Sequence, residues 1–279
     1  MLPVNRTGSR CFAFFFYKFV VWEPNMLTAA FKLRYQVYCV ERQFLPAESF
    51  PTGLEQDEHD DQSAHFGVSD VAGDLVGYVR LVHARDGEFP FKHHCENLYN
   101  DAYRPPAGDA VEISRLMVRK DVQRFDTSSL RGATAQEMRD FLNARPTTSI
   151  QILLHLYRQM LAYSVDHGIG HWYAAMERSL ARSLRSMGLG FKQVGPQTDY
   201  FGPVAPYLAD LGELECTLRE INPVLLEWMK TRSPVAPGPF DWHCQMLGHP
   251  LRPPSKLLPK VLRVPSPPHA RSLEMLAAA

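Results

Sequence analysis

The chain has 279 residues, 45% of them hydrophobic, which allows one large domain with a substantial core and excludes disorder as the dominant state. Its 30 basic and 30 acidic side chains cancel, so no global charge draws it to nucleic acid or to an anionic membrane, and a nucleic-acid binder is disfavoured. The 5 cysteines are scattered and form no C-x-x-C pair, a pattern that suits a reducing, cytoplasmic setting.

Residues 1–13 read as an N-terminal extension. The apolar run 12–22 follows Arg6 and Arg10 and superficially looks like a secretory signal, but Lys18 interrupts it and it is too short to cross a bilayer. It is read as a first β-strand over 14–22, with no transmembrane segment expected. Glu23-Pro24-Asn25 then starts a helix over 26–41, in which Leu33, Val37 and Val40 form an apolar stripe and Phe31, Arg34, Tyr35 and Tyr38 a mixed one. One face should bury in the core and the other line a polar cavity. Residues 45–63, with Pro46, Pro51, Gly53 and the acidic cluster Glu55-Gln56-Asp57-Glu58-His59-Asp60, read as a long loop of the kind that usually carries function. A hairpin comes next, with strands near 65–70 and 75–84 around Ala72-Gly73-Asp74. Tyr78, Arg80 and Val82 share a face of its second strand.

After an irregular stretch, 85–108, comes Val111-Glu112-Ile113-Ser114-Arg115-Leu116-Met117-Val118, a core-like strand that carries charge. Isolated buried charges cost several kcal/mol, so this strand predicts partners, and Glu55, Asp57, Asp60, Arg80 and Arg34 are available. Residues 119–148 are polar and basic, with Arg119, Lys120, Arg124, Arg131, Arg139 and Arg145, and read as a basic excursion or a partly helical insertion. A strong helix over 149–167 carries the stripe Ile150, Leu153, Leu154, Tyr157, Leu161 and Val165 and closes at Gly168. A strand over 169–176, a helix over 177–187 ended by Gly188, a strand over 191–194, a last strand over 213–218 and a short helix over 223–230 complete a mixed α/β pattern. Ten of the 22 prolines fall in a C-terminal tail, 233–279.

The ordered set Arg34-Tyr35-x-Val37-Tyr38, Glu55-x-Asp57-x-x-Asp60, Val79-Arg80-Leu81 and Glu112-Ile113-Ser114-Arg115 resembles the autoinducer-synthase branch of the GNAT acyltransferases. It looks most like the long-chain N-acyl amino acid synthases and the acyltransferases associated with PEP-CTERM/exosortase systems. His171-Trp172-Tyr173-Ala174-Ala175-Met176-Glu177, Gly188-Leu189-Gly190-Phe191, Asp199-Tyr200-Phe201-Gly202 and Pro206-Tyr207 add to the resemblance, which covers about residues 14–232. It implies a GNAT-like mixed twisted sheet flanked by helices over 14–232. Two departures matter. Phe44 stands where homoserine-lactone synthases typically have tryptophan, which weakens S-adenosylmethionine as substrate and favours an amino acid. Arg119-Lys120-Asp121-Val122-Gln123-Arg124-Phe125-Asp126 lacks the glycines that cradle the coenzyme A pyrophosphate in most GNAT enzymes. The implied donor is an acyl chain on acyl carrier protein, held by its pantetheine arm, with acyl-CoA as the other possible donor and no bound cofactor.

Amide formation from a thioester needs a neutral amine, a proton acceptor and oxyanion donors. Glu112 is the first choice of base, its bland role being an ion-pair partner of Arg115 or Arg80. Arg34, Arg80 and Arg115 match a substrate carboxylate, or else neutralise Glu55, Asp57 and Asp60; a network in which one arginine meets substrate and the others hold the loop is favoured. Tyr38 joins the substrate side. Ser114 is a catalytic candidate or a small strand residue, and Ser179 a weaker proton donor. Backbone near Leu116, Met117 and Val118 would supply oxyanion donors, with Trp172, Met176, Phe191 and Tyr157 as candidate lining of the acyl cleft. The basic excursion offers a docking face for an acidic carrier protein. No metal is expected, because neither His93-His94-Cys95-Glu96 nor His243, Cys244 and His249 has zinc spacing. The leading expectation is an N-acyltransferase that makes an N-acyl amino acid. The alternatives are an acyl-homoserine-lactone synthase using S-adenosylmethionine and a non-catalytic module that binds an acyl group or carrier protein.

Overall fold

A computed structural model of the chain describes residues 24–231, leaving out 71, 86, 96, 123–131 and 201. The expected strand 14–22, the extension before it, the tail with His243, Cys244 and His249, and Arg124 and Arg131 lie outside the described residues. Among those described, no helix is long and apolar enough to cross a membrane.

Helix α1 (Pro24–Tyr35) runs on as a wider π-helical turn, Gln36–Glu41. There the Arg42 N–H reaches back five residues to the Val37 carbonyl at 2.9 Å. The widened turn shifts the helical phase. Leu33 and Val37 stay buried, Cys39 turns inward, and Val40, which simple periodicity puts on the same stripe, is 48% exposed. The next loop contains short 3₁₀ turns at Ala47–Ser49 and Asp60–Gln62. Strands β1 (Ser63–Ser69) and β2 (Leu75–His83) form the hairpin, and β3 (Ala110–Val118) is the charge-bearing strand. Helices α2 (Ala135–Asn143) and α3 (Ser149–Asp166) precede β4 (His171–Glu177) and α4 (Arg178–Ser186). Three strands, β5 (Lys192–Gln193), β6 (Thr198–Asp199) and β7 (Pro203–Asp210), lead to α5 (Leu211–Ile221) and α6 (Pro223–Lys230).

One expected element is corrected. Residues 213–218 belong to helix α5, not to a strand. The Asp210 side chain caps that helix, accepting the N–H groups of Gly212 at 2.8 Å and Glu213 at 3.1 Å, while Leu211, Leu214 and Leu218 recur at helical spacing on its buried face. The strand lies just before it, in β7. Pro203 and Pro206 disguise that strand, since proline lacks a ladder donor, and burial of 205–209 removes the alternation that marks a half-exposed strand.

The sheet runs β1-β2-β3-β4-β7-β5, with β6 also on β7. All neighbours are antiparallel except β3 and β4. Helix α3 covers one face, where Ile150, Leu154, Tyr157 and Leu161 join Val79, Leu81, Val111 and Ile113 in the main core. Val165, expected on that stripe, is exposed; Ser164 is the buried residue of the last turn and accepts the Trp172 indole N–H at 2.9 Å. Ala30 and Leu33 of α1 and Val37 of the π-helical turn pack on the other face against Tyr78 and Met117. Each fully buried large apolar side chain contributes about 1.5–3 kcal/mol.

Two irregularities in β3 position the polar side chains of this strand. Arg80 faces Ser114 while Tyr78 faces Met117, so Arg115 and Leu116 together oppose Val79: a β-bulge, with Arg115 at φ 56°. Period-two alternation would send Arg115 to the core side with Val111 and Ile113. The extra residue resets the phase, so that Leu116 and Val118 pack against the main core and Arg115 joins the polar side. In addition, β3 pairs with β4 only from Ala110 to Ile113, after which the two parallel strands part.

Candidate active site

Arg34 of α1, Arg80 of β2 and Arg115 of β3 converge on the acidic loop. Arg34 pairs with Glu55 and, at 2.5 Å, with Asp60; Arg80 pairs with Asp60 at 2.6 Å and with Asp57 at 2.6 and 2.7 Å. Arg115 completes the circuit with Asp57 at 2.9 Å and Glu55 at 3.0 Å. Three cations and three anions thus alternate in a closed ring, each bridging two of the opposite sign, and the ring is neutral. Burial alone would raise the carboxyls of Glu55 and Asp57. For Glu55 the Arg115 and Arg34 charges overcome it, and for Asp57 the Arg80 hydrogen bond and the Arg115 charge do, so both lie below the usual carboxylate range. The loop is bound further by the Glu55 N–H on the Phe31 carbonyl at 3.1 Å and by an Asx turn, in which Asp57 accepts the His59 N–H at 2.9 Å.

Two residues that sequence reasoning passed over support the ring. His65 lies 3.2 Å from the Asp60 carbonyl through Nε2 and 2.7 Å from the Tyr78 hydroxyl through Nδ1. A carbonyl only accepts, which assigns the proton to Nε2 and makes Nδ1 the acceptor of the Tyr78 O–H. The Tyr78 hydroxyl in turn lies beside Arg34. Burial holds His65 below its ordinary pKa, and therefore neutral.

Glu112 stands apart from the ring, and none of the ion pairs among the described residues includes it, so the expected pairing with Arg115 or Arg80 does not form. It is 5% exposed and accepts the Phe91 N–H at 2.8 Å. Burial pushes its carboxyl up to about 7, against the opposing pull of that N–H and of the Arg80 and Arg115 charges. A small aromatic core anchors the donor: Phe91 packs on Tyr173 with ring centroids 4.9 Å apart, beside Phe89. Tyr38 is half-buried and lies under the Arg115 guanidinium, 5.1 Å from ring centroid to Cζ. Ser114 shares this side of the sheet, with its Oγ 3.5 Å from an Arg80 Nη.

Where β3 and β4 part, an apolar cleft of about 270 Å³ opens, lined by Leu116, Met117, Val118, Ser149, Ile150, Leu153 and Leu180. The backbone of Leu116, Met117 and Val118 has no ladder partner on β4. Trp172, Tyr157, Met176 and Phe191 do not line this cleft; they are core residues, Trp172 meeting Tyr157 edge-on at 5.9 Å. Ser179 is exposed and donates to Glu177 at 3.1 Å. Of the basic excursion, Arg119 is spent on Asp121 at 2.6 Å and Asp70 at 3.4 Å. Exposed Arg178, Arg182 and Arg185 lie on α4, whose Leu180 lines the cleft.

A strand that bulges and then leaves its parallel neighbour, with a buried carboxylate beside the fork and an apolar cleft beyond it, is the architecture of the GNAT fold. The family model for the acetyltransferase (GNAT) domain matches residues 33–132, which hold the whole ionic ring, Glu112 and the bulge. Among solved structures, TofI, crystallised in a ternary complex with an inhibitor and MTA, is similar at 19% identity and TM-score 0.48, covering 73% of this chain and 95% of its own. The CoA-dependent acyl-homoserine lactone synthase BjaI, with SAM and isopentyl-CoA, is similar at 19% identity and TM-score 0.47, covering 71% and 82%. Escherichia coli ElaA is similar at 18% identity and TM-score 0.38, covering 68% and 93%. No curated protein sequence matches the chain. Likenesses this distant transfer no substrate.

Proposed function

We propose that the chain moves a medium or long fatty acyl group from an acyl carrier protein thioester to the amine of an amino acid, giving an N-acyl amino acid. Glu112 carries the reading: a buried carboxyl poised at about 7, at the fork from which the apolar cleft opens. A base near the working pH both takes a proton and gives it back. The neutral amine attacks the thioester carbon, forming the C–N bond; its proton goes to Glu112, the C–S bond breaks, and the proton passes on to the departing thiolate, leaving amide and thiol. Backbone N–H groups of Leu116 and Val118, on the side that β4 has left, stabilise the oxyanion, Met117 between them turning its own N–H to β2.

Of the ring arginines, Arg34 and Arg80 are 0% and 1% exposed and Arg115 is 17% exposed, so Arg115 is the one that a substrate carboxylate reaches first. Arg34 and Arg80, with Glu55, Asp57 and Asp60, hold the loop in place. Two features favour a carrier protein over coenzyme A. The N-terminus of α3, where a pyrophosphate would sit, is filled by its own capping box: Thr148 accepts the Gln151 N–H, and Gln151 accepts the Thr148 N–H at 3.2 Å. The exposed arginines of α4 offer an acidic partner a landing face beside the cleft. A cytoplasmic setting fits the free thiols of Cys39, Cys95 and Cys216.

The test is mass spectrometry of products from the purified chain, supplied with lauroyl-acyl carrier protein or lauroyl-CoA and a panel of amino acids. N-lauroyl amino acid formation, abolished in Glu112→Gln, is the expected result. Release of methylthioadenosine from S-adenosylmethionine would instead identify a homoserine-lactone synthase. No product with any donor would leave a binding module.

A further inference from the structure

The segment Asp199-Tyr200-Phe201-Gly202 joins β6 to β7 and takes no part in the acyl-transfer steps themselves. On either side of residue 201, Tyr200 N–H donates to the Gly202 carbonyl at 2.9 Å, and Gly202 N–H donates to Asp199 Oδ1 at 3.2 Å. Gly202 has φ 114°, a conformation that side chains resist, so the glycine is needed there. Tyr200 is half-buried, with its hydroxyl beside Arg115 and within electrostatic reach of Glu112 and Tyr38. On its other side Tyr200 meets exposed His94, the two rings stacked at 3.6 Å and 12°.

His94 belongs to the same turn that serves Glu112. Its N–H donates to the Phe91 carbonyl at 3.0 Å, and the Phe91 N–H is the donor to Glu112 at 2.8 Å. Two loops far apart in sequence therefore close on the accessible arginine and the buried carboxylate together. Arg115 is gripped by Glu55 and Asp57 through its charges and by Tyr38 through its face, and the Tyr200 hydroxyl stands beside it. A guanidinium on a bulge with positive φ has no regular ladder to fix its direction, and these contacts fix it instead.

We propose that Tyr200, backed by His94, is a positioning residue that aims Arg115 at the carboxylate of the acceptor amine, and so makes the site prefer amino acids over amines that lack a carboxylate. This rests on the N-acyltransferase reading. Tyr200 acts through Arg115, so its removal affects recognition of one substrate group and leaves the acyl donor untouched.

The experiment pairs each acceptor with its decarboxylated amine: phenylalanine with phenethylamine, leucine with isopentylamine, glycine with methylamine. Tyr200→Phe keeps the stack and removes the hydroxyl. It raises KM for the amino acids about tenfold, the weight of one polar contact to a charged group, while KM for the amines and for the acyl donor stays as in wild type. His94→Ala shifts the amino-acid KM in the same direction by less, and His94→Phe, which keeps a ring for Tyr200 to stack on, restores it. Equal effects on both members of each pair, or no effect on either, overturn the proposal while the N-acyltransferase reading stands. If the wild type acylates nothing, that reading falls, and calorimetric binding of the same amino acids decides: weaker binding to Tyr200→Phe than to wild type supports the positioning role, and equal or absent binding overturns it.

Discussion

Replacing Glu112 with glutamine keeps the side-chain shape and an oxygen for the Phe91 N–H, 2.8 Å away in the wild type, while removing the titration. Burial lifts the carboxyl from its ordinary 4.5 to about 7. At roughly 1.4 kcal/mol per tenfold in proton affinity, ionising Glu112 costs the folded protein about 3 kcal/mol more than the unfolded chain. The folded pKa lies above the unfolded one, so this stabilisation is complete below about pH 4.5 and is lost as pH rises through about 7. Urea denaturation of wild type and Glu112→Gln from about pH 4 to pH 8.5 measures the difference. The two should be within about 1 kcal/mol of each other at the acid end, and the variant more stable by about 3 kcal/mol at the alkaline end. Taking the difference cancels the other titrating groups. A difference that stays flat with pH would mean that Glu112 ionises like a solvated carboxylate, and the base assigned to the reaction would be lost with it. In turnover the same titration makes the wild-type kcat/KM climb through about pH 7, and Glu112→Gln should lose the climb along with about 10²–10⁴ in rate.

Arg80→Ala leaves the buried ring with three anions and two cations and should destabilise the fold by about 3–5 kcal/mol in urea titration; a loss under about 1 kcal/mol would show the ring to be dispensable for the loop. His155 is buried against Trp228, with ring centroids 4.8 Å apart, and burial, followed by the Arg158 charge, lowers its pKa to about 3. Its folded pKa lies below the unfolded value, so the unfolded chain takes the extra proton and stability falls as pH drops from 6.5 towards 3, by up to about 4 kcal/mol. His155→Phe should flatten that part of the pH–stability curve, and an unchanged slope would place the acid sensitivity elsewhere. Leu180→Trp narrows the cleft from the α4 side; turnover of dodecanoyl donors should drop at least about tenfold while butanoyl donors are spared, and equal loss for both would take the acyl chain out of this cleft.

Much of the molecule was legible because its signals are local. The hairpin around Ala72-Gly73-Asp74, the helix closed by Gly168 and the helix closed by Gly188 each declare themselves within one window of periodicity and one terminating glycine. The partners of the ionic ring were legible for a different reason: charges in a core-like strand demand opposite charges, and the chain holds few sets that could supply them. Where the reading failed, a neighbour outranked the pattern. The prolines of β7 hid a strand whose ladder partner, β4, tolerates them, and the strand was displaced by a few residues into α5. Val40 left its stripe because the π-helical turn changed the phase. His65, Tyr78, His94 and Tyr200 carried no sequence token of their own; the short motifs that contain the last two were visible, but not what their rings stack on or bond.

The sequence by itself determined which charges must meet, since an unpaired buried ion is too costly for any fold of this chain to tolerate. Only the tertiary structure decided how they meet. A bulge at Arg115, with a positive φ on a residue that rarely adopts one, turns that guanidinium to the side of Arg80 and Asp57, where it closes the ring, while Glu112 on the same side binds the Phe91 N–H instead. Glu112 precedes that bulge and makes no ion pair among the described residues, and its burial gives it a proton affinity near neutrality instead of the depressed one that Glu55 and Asp57 share.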